Sequence, residues 1–358
     1  MITDEPVRGS YAYLEHPSLL SLSGLEQLRL FLDGYFDLAP ISRLTGLIGE
    51  HAAEGEATFS MPASPWWRSG GGVFLAGVFP YVADAALGLA VYNTLPPATG
   101  LATSELSMNF LRPATVASGR LVAEGKLIQM GRSQGLSECR VTDAEGRLLA
   151  HGTSRLIKQP LGFEPMPVTD DFPKRTPPDP SDPDPHERPS EGEVVPLAEL
   201  NERKWLDIYR EWRDGTRPYA PVCHLTGMQI ADVEEGTAVW TMPASRWYSS
   251  SVGAFYGGAL AMLADAAMAG AVGSIVPARS SFGTLDLKVN FLRPVRVDDR
   301  PLTARATVVH RGKTIAVATC EVTDADGRRV AIGSTSAMLL PGRQWSEAGE
   351  AVPIDEAI

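Results

Sequence analysis

The run FYGGALAMLADAAMAGAV at residues 255–272 is small and apolar almost throughout, with one charged residue, Asp265, in its interior. Helix formers dominate after the two glycines, so the run predicts a helix that starts near Gly257 or Gly258. Its apolar surface extends nearly all the way round, which predicts burial. Further along, the period changes. In TLDLKVNFLRP, Leu285, Leu287, Val289 and Phe291 alternate with Asp286, Lys288 and Asn290, the pattern of a strand with one covered face. PLTARATVVHRGK, TIAVATCEVTD and RRVAIGSTSAMLL continue as strands, and the DADG at 324–327 predicts a hairpin turn. One long apolar helix against an antiparallel sheet is an α+β arrangement. The Ala and Gly on the helix suit a sheet that wraps closely round it.

The same pattern occurs twice. Residues 74–91, FLAGVFPYVADAALGLAV, place Asp84 where the second copy has Asp265, 181 positions on. At the same offset LTG at 44–46 recurs at 225–227, MPAS at 61–64 recurs at 242–245, and Trp66 recurs as Trp247. NFLRP at 109–113 recurs at 290–294, and VTDAEGR at 141–147 matches VTDADGR at 322–328. Between about residue 25 and residue 157 the alignment needs no insertion, so the chain contains a duplicated folding unit. Each unit, at roughly 130 residues, is long enough for its own core. The expected division is repeat one at 25–157, a linker at 158–200 and repeat two at 201–340. The linker, with FPKRTPPDPSDPDPHERPSEGE, reads as an exposed tether because Pro and acidic residues disfavour both helix and packed sheet. Each repeat opens with a helix: SGLEQLRLFL, where Ser23 and Glu26 have capping-box spacing, and LAELNERKWLDIYREW.

Charge and composition remove some function classes. A formal net charge of −11 without a Lys/Arg-rich block argues against general nucleic-acid binding. The N-terminal MITDEPVRGSYAYLEHP lacks the basic-then-apolar order of an export signal, and Asp interrupts the apolar helices, so the expectation is a cytoplasmic chain that does not span a membrane. Cys139 and Cys320 are counterparts in strand-like segments, while Cys223 has Ser42 at its counterpart; the reading is small buried residues. No metal-ligand spacing is present, and the six histidines have no histidine counterparts, so neither a metal site nor a duplicated histidine site is expected.

Glycine pairs, an Ala-rich helix carrying an acid, N-F-L-R-P, a strand ending in R-G-K and a D-A-x-G hairpin together resemble the hotdog-fold acyl-CoA thioesterases of the PaaI-like type. The resemblance covers most of both repeats. It implies two tandem hotdog domains, each a central helix wrapped by an antiparallel sheet, facing each other within one chain as a double hotdog. It implies hydrolysis of thioesters of CoA or acyl carrier protein, with CoA present only as part of the substrate and no separate cofactor. It also allows a homodimer of double hotdogs. On the same resemblance Asp84 and Asp265 occupy the catalytic acid position, acting as nucleophile or general base. Departures from the family are Tyr256 and Leu75 where it has a histidine, Ala76-Gly77 for Gly-Gly, Gly88 and Ala269 for a hydroxyl residue one turn after the acid, and Ser69 and Ser250 upstream.

Physical reasoning shows why such a site would be shared. Free N–H groups at a helix N-terminus can hold a developing oxyanion. Asp265 lies seven residues beyond Gly258, about 10 Å along its own helix at about 1.5 Å per residue, which is too far for one carbonyl to meet both. Two antiparallel helices would solve this, setting Asp84 against Gly257 and Gly258, and Asp265 against Ala76 and Gly77. The glycines and the Tyr256 hydroxyl make the Asp84 site the expected stronger one, with Pro80 absorbed in the first helical turn. Arg112, Arg293, Arg311, Lys313 and Arg132 are candidates for CoA phosphates, against an ordinary solvated role. Trp66 and Trp247 are candidates for an acyl pocket, against core packing, and Asn109 and Asn290 for a substrate contact, against a loop hydrogen bond. Two other readings stand beside hydrolysis: a non-catalytic acyl-CoA binding protein, and a hotdog dehydratase or hydratase, whose chemistry usually recruits a histidine that neither helix has nearby.

Overall fold

The computed structural model describes residues 1–168, 171–177, 179–346 and 349–353. Repeat one contains helices α1 (Ala12–Glu15), α2 (Gly24–Leu32) and α3 (Pro40–Thr45), the hairpin of β1 (Ile48–Ala53) and β2 (Glu56–Pro62), and the central helix α4 (Val78–Tyr92). Strands β3 (Thr99–Phe110), β4 (Arg120–Met130), β5 (Gln134–Thr142) and β6 (Leu148–Pro160) complete it. Repeat two follows the same order with α5 (Leu197–Leu200), α6 (Trp205–Arg213), α7 (Pro221–Thr226), β7 (Gln229–Glu234), β8 (Thr237–Pro243) and the central helix α8 (Gly257–Ser274). Its counterpart of β3 is broken at Leu285 into β9 (Ser280–Thr284) and β10 (Asp286–Phe291); β11 (Pro301–Arg311), β12 (Ile315–Thr323) and β13 (Arg329–Pro341) follow. A small hairpin, β14 (Arg343–Trp345) and β15 (Ala351–Pro353), comes after the last repeated strand.

The predicted patterns fold as their periods require. In β10, Leu287 and Val289 point to the core and Lys288 to solvent. In α8 every residue from Gly258 to Met268 is buried, Asp265 included. Ser23 caps α2, its backbone N–H donating to Glu26 at 2.8 Å. Pro80 falls in the first turn of α4, where its missing N–H has no helical partner to lose. The strands form one 13-stranded antiparallel sheet in the order β1-β2-β4-β5-β6-β3-β10-β13-β12-β11-β8-β7, with β9 also on β13. The halves join where β3 meets β10, and Ser107 pairs with Lys288, its own counterpart 181 positions on. A pseudo-twofold therefore passes through that pair. The two hotdogs face each other within one chain, and the continuous sheet encloses both central helices.

Under the sheet α4 and α8 run antiparallel and very close. A Cβ on Gly77 would lie 2.8 Å from the Cα of Met262, and one on Gly258 would lie 2.9 Å from the Cα of Tyr81. Those two contacts are counterparts. The second position of each glycine pair is thus glycine because the partner backbone leaves no room, whereas the first is Gly257 in one repeat and Ala76 in the other.

The linker departs from the expected exposed tether. Residues 169, 170 and 178 lie outside the described residues, but from about residue 182 the chain is packed. Asp184 is buried, 3.3 Å from Arg43 and 3.7 Å from Arg8. Arg188 pairs with Glu5 at 2.7 Å, and its carbonyl accepts from the Trp66 indole at 3.0 Å. The N-terminal arm does the same for the other repeat, with the Glu5 carbonyl accepting from the Trp247 indole at 3.2 Å. The two arms are therefore exchanged between repeats. They also belong to the duplication: Gly9 and Gly192 both have positive φ, +118° and +101°, and Ser10 and Glu193 donate to the counterparts Leu38 and Tyr219. This arm offset is 183 positions, two more than in the body, so the duplicated sequence also includes a segment from about Asp184.

Gly77→Ala should force the two helix backbones apart and destabilise the protein by about 2 kcal/mol, measured by urea unfolding. The neighbouring Ala76→Gly should cost less than about 1 kcal/mol. Equal effects at both positions would show that the helix crossing is not the constraint.

Candidate active site

The close crossing presents each helix N-terminus to the acid of the other helix. The Gly77 N–H donates to Asp265 Oδ2 at 2.7 Å, and the Gly258 N–H donates to Asp84 Oδ2 at 2.9 Å. Both carboxyls therefore engage the second residue of the glycine pair, not Ala76 or Gly257. Burial pushes Asp84 up to about 6 and Asp265 up to about 7 from an ordinary 3.8, each moderated by the facing N–H. No cation contributes to either shift, so the helix N-terminus is the local source of positive potential. Asp265 Oδ1 is buried without a hydrogen-bond partner.

The surroundings of the two acids differ. A cavity of about 250 Å³ lies next to the Asp265 position, lined by Leu75 and Ala76 before α4 and by Ala266, Ala269 and Gly270 on α8; Asp265 itself is fully buried behind this lining, whereas Asp84 is 7% exposed. Exposed Leu111 and Arg112 mark where it reaches solvent. Among the described residues the Ala76 N–H donates to no protein acceptor, since the turn places Leu75 on Trp67 and Gly77 on Asp265. Just as the Gly257 N–H is left at the start of α8, that leaves one backbone donor at the positive end of α4, on a residue that lines the cavity. Its inner wall is aromatic: Trp205, Tyr209 and Trp212 of α6, with neighbouring rings 5.6 Å apart, and Trp240 of β8. Their counterparts are Gly24, Leu28, Phe31 and Phe59.

At the Asp84 position Tyr256 takes the place of Leu75. Its hydroxyl donates to the Tyr81 carbonyl at 2.6 Å and accepts from the Ala85 N–H at 2.9 Å. It is thus inserted between the two groups that an α-helix pairs directly. The rings of Tyr81 and Tyr256 meet edge to face at 5.2 Å. Burial and the Asp84 charge push the phenol well above its ordinary range, so it stays protonated. The Tyr256 proton is held by the helix and not offered to a ligand, which reverses the premise that made the Asp84 site the stronger.

Other residues singled out in the sequence are placed as follows. Trp66 and Trp247 are fully buried anchors for the exchanged arms, outside the cavity lining. Asn109 and Asn290 lie on the solvent side of the β3–β10 seam, opposite Asp286 and Glu105. Arg112 lines the cavity while donating to the Leu148 carbonyl at 2.7 Å; Arg293 donates likewise to Arg329 at 2.6 Å. Arg311 caps the end of α8 through the Ile275 carbonyl and pairs with Glu235. Arg132 and Lys313 are exposed in the turns after β4 and β11. The three cysteines are free and buried, and burial pushes Cys223 and Cys320 up to about 12. Missed by the sequence reading was the role of α6: Trp205, Tyr209 and Trp212 recur at helical spacing on one face, a signal for an aromatic wall.

Known proteins bear on this geometry. Residues 71–150 and 252–331 each match the family model of the thioesterase superfamily. A Halobacterium salinarum protein bearing an esterase name is 33% identical over 115 residues, 31% of this chain and 74% of that protein. Among solved structures, the acyl-CoA thioesterase II TesB2 of Mycobacterium marinum aligns over 84% of this chain and 97% of its own, at 13% identity and a TM-score of 0.50. A hotdog-fold protein from Alicyclobacillus acidocaldarius aligns over 84% and 97% at 17% identity and a TM-score of 0.50. At such identities these two structures bear on fold alone, and the fold they share is the tandem hotdog.

The raised carboxyls make stability depend on pH. Each binds its proton more tightly folded than unfolded, so the stabilisation is fully present below about pH 4 and is lost as pH rises through about 6 for Asp84 and about 7 for Asp265. Thermal unfolding from pH 4 to pH 8 should show a Tm that falls less steeply in Asp265→Asn than in the wild type. Parallel curves would show that the carboxyl is not buried as described.

Proposed function

Because the chain belongs to the thioesterase superfamily, we propose that it hydrolyses acyl-CoA or acyl-carrier-protein thioesters to free acid and thiol at one composite site, with Asp265 as the catalytic carboxylate. Thioester hydrolysis is the activity of the superfamily; the substrate, the acid and the site are the proposal. The observation that supports it is the pairing of a buried carboxylate whose Oδ1 has no partner with an unengaged Ala76 N–H beside an apolar cavity.

In this reading the acyl group occupies the cavity, and the thioester carbonyl oxygen accepts from Ala76 at the N-terminus of α4. Charge that develops on that oxygen meets a donor already oriented, in an apolar surrounding that strengthens the interaction. Asp265 then acts in one of two ways. As nucleophile its oxygen adds to the carbonyl carbon, the C–S bond breaks with the thiolate leaving, and water cleaves the resulting mixed anhydride. As general base it takes a proton from water as that water attacks, and the proton passes to the departing thiolate. Both routes need the ionised form, which a carboxyl near pH 7 supplies in part at neutral pH. In the same reading Arg112, exposed at the opening, meets a phosphate of the thiol carrier. Asp84, beside which the Tyr256 hydroxyl is committed to the Tyr81 and Ala85 backbone, in this reading holds the second helix N-terminus and does not turn over.

The test is thiol release from short, long and aromatic acyl-CoAs. Asp265→Asn should lower kcat/KM by about a hundredfold or more, and Asp84→Asn by less than about tenfold, with both variants folded by thermal unfolding. A larger loss at Asp84 would place the chemistry at the other position. Tight binding of acyl-CoA without thiol release from the wild type would favour the binding-protein reading.

A further inference from the structure

We propose that the hairpin of β14 and β15 is a flap across the opening of the Asp265 cavity, and that Trp345 sets the bulk of the acyl group the site accepts. The inference rests on reading this cavity as the acyl site.

The hairpin belongs to repeat two alone. After β6 the equivalent stretch starts alike, the Leu161 N–H donating to the Ala98 carbonyl as Gly342 does to Arg279, but among the described residues it then forms no hairpin, and Phe172 packs with Phe36. After β13 the chain instead turns at Gly342, whose φ is +68°, and comes back over the cavity. Gln344 is buried there, its side-chain amide donating to the Ser280 carbonyl at 3.3 Å and the Leu200 carbonyl at 3.5 Å. The Trp345 indole N–H donates to the Phe282 carbonyl at 2.9 Å. Its ring lies over Gly283, where a Cβ would come within 2.9 Å of the six-membered ring; the counterpart of Gly283 is Ala102. β14 pairs with β15 in register, Trp345 opposite Ala351.

The far end of the hairpin reaches the other repeat. A Cβ on Gly349 would lie 3.1 Å from Pro113 and 3.2 Å from Thr115. Pro113 follows Leu111 and Arg112, which mark the opening, and all three line the cavity together with Gln344 and Trp345. The hairpin thus spans from β9 of repeat two to the segment after β3 of repeat one, across the gap between the repeats. An indole fixed by one hydrogen bond and one glycine contact is a rigid wall. A ligand wider than the gap it leaves must displace it.

Nonhydrolysable acyl-CoA thioethers, with linear chains from four to sixteen carbons and with branched and aryl groups, test this independently of turnover. The wild type should bind a restricted range of acyl bulk. Trp345→Ala in the full chain should shift the preference toward bulkier groups, changing the ratio of affinities for bulky and slender analogues by about tenfold or more. Trp345→Phe, which keeps a ring over Gly283, should stay near the wild type. Gly283→Ala, which pushes the indole off its seat, should move in the direction of Trp345→Ala and serves where that variant does not fold. An unchanged preference in Gly283→Ala and Trp345→Ala, or a uniform loss across the series, would make the hairpin a brace and overturn the proposal. Thiol release from matched acyl-CoAs separates the two claims. Binding with the predicted shift but no release retires hydrolysis and keeps the flap, while release with no shift retires the flap alone.

Discussion

The crossing of α4 and α8 is the contact on which the other features depend. At Gly77 and Gly258 the partner backbone comes so near that no side chain fits, and only at that separation can an N–H at one helix start reach a carboxylate two turns along the other. Those two hydrogen bonds are the specific support that each buried acid receives. A carboxylate in such a place without a cation costs several kcal/mol. The remaining architecture keeps the helices in register against that cost. The sheet runs unbroken from one repeat to the other through β3 and β10. The arms cross over and fasten each repeat's buried tryptophan to the other's leading segment. A loosely tethered pair of domains could not hold two opposed atoms at hydrogen-bond distance.

Much of this was legible because it repeats at one offset. The central helices, their acids, the strand meander and the composite pairing all follow from residues 181 positions apart and from the length of a helix. What was illegible did not share that register. The arms are duplicated at 183 positions with few identities beyond Pro6 and Pro189, Gly9 and Gly192, so composition made the second arm look like a tether. Proline and acidic residues do exclude regular structure there, yet irregular chain can still pack when ion pairs such as Asp184 with Arg8 and Arg43 hold it. Trp66 and Trp247 were correctly seen as paired and aromatic, but no pattern along the chain says that their indoles serve the arms. Strand alternation puts Asn109 and Asn290 on the polar face, beside the core residues Met108 and Val289, but what stands opposite them across the β3–β10 seam is set by a pairing between repeats.

Tyr256 is the most instructive of these. Read locally, a tyrosine beside two glycines at a helix start is one more donor for an oxyanion. In three dimensions the composite arrangement puts it against the other helix, where Tyr81 and Ala85 supply an acceptor and a donor one turn apart. A hydroxyl that can satisfy two backbone groups in a dry interior is held there, because leaving either unpaired costs about 1–3 kcal/mol. The residue type was readable, and its hydrogen-bond partners depended on a contact 171 to 175 positions away.

Duplication within one chain explains how the two acids came to differ. In a symmetric dimer, a tyrosine at the position before the glycines would alter the surroundings of both acids at once. In the fused chain the residue before α8 shapes only the Asp84 position, and the residue before α4 shapes only the Asp265 position. Leu75 can therefore stay aliphatic while Tyr256 crosses to the α4 backbone. Ala76 can replace a glycine because the Asp265 bond goes to Gly77, one residue on. The enlargements then gather on the open side. Gly270 stands where repeat one has Leu89, and a Cβ there would come within 2.6 Å of the Trp240 indole nitrogen, so the larger ring in β8 and the smaller residue in α8 form one compensated change. The aromatic face of α6 and the hairpin after β13 border the same cavity. Changes that would be incompatible in two identical copies are compatible in one chain, because each composite site draws its acid and its donor from different repeats.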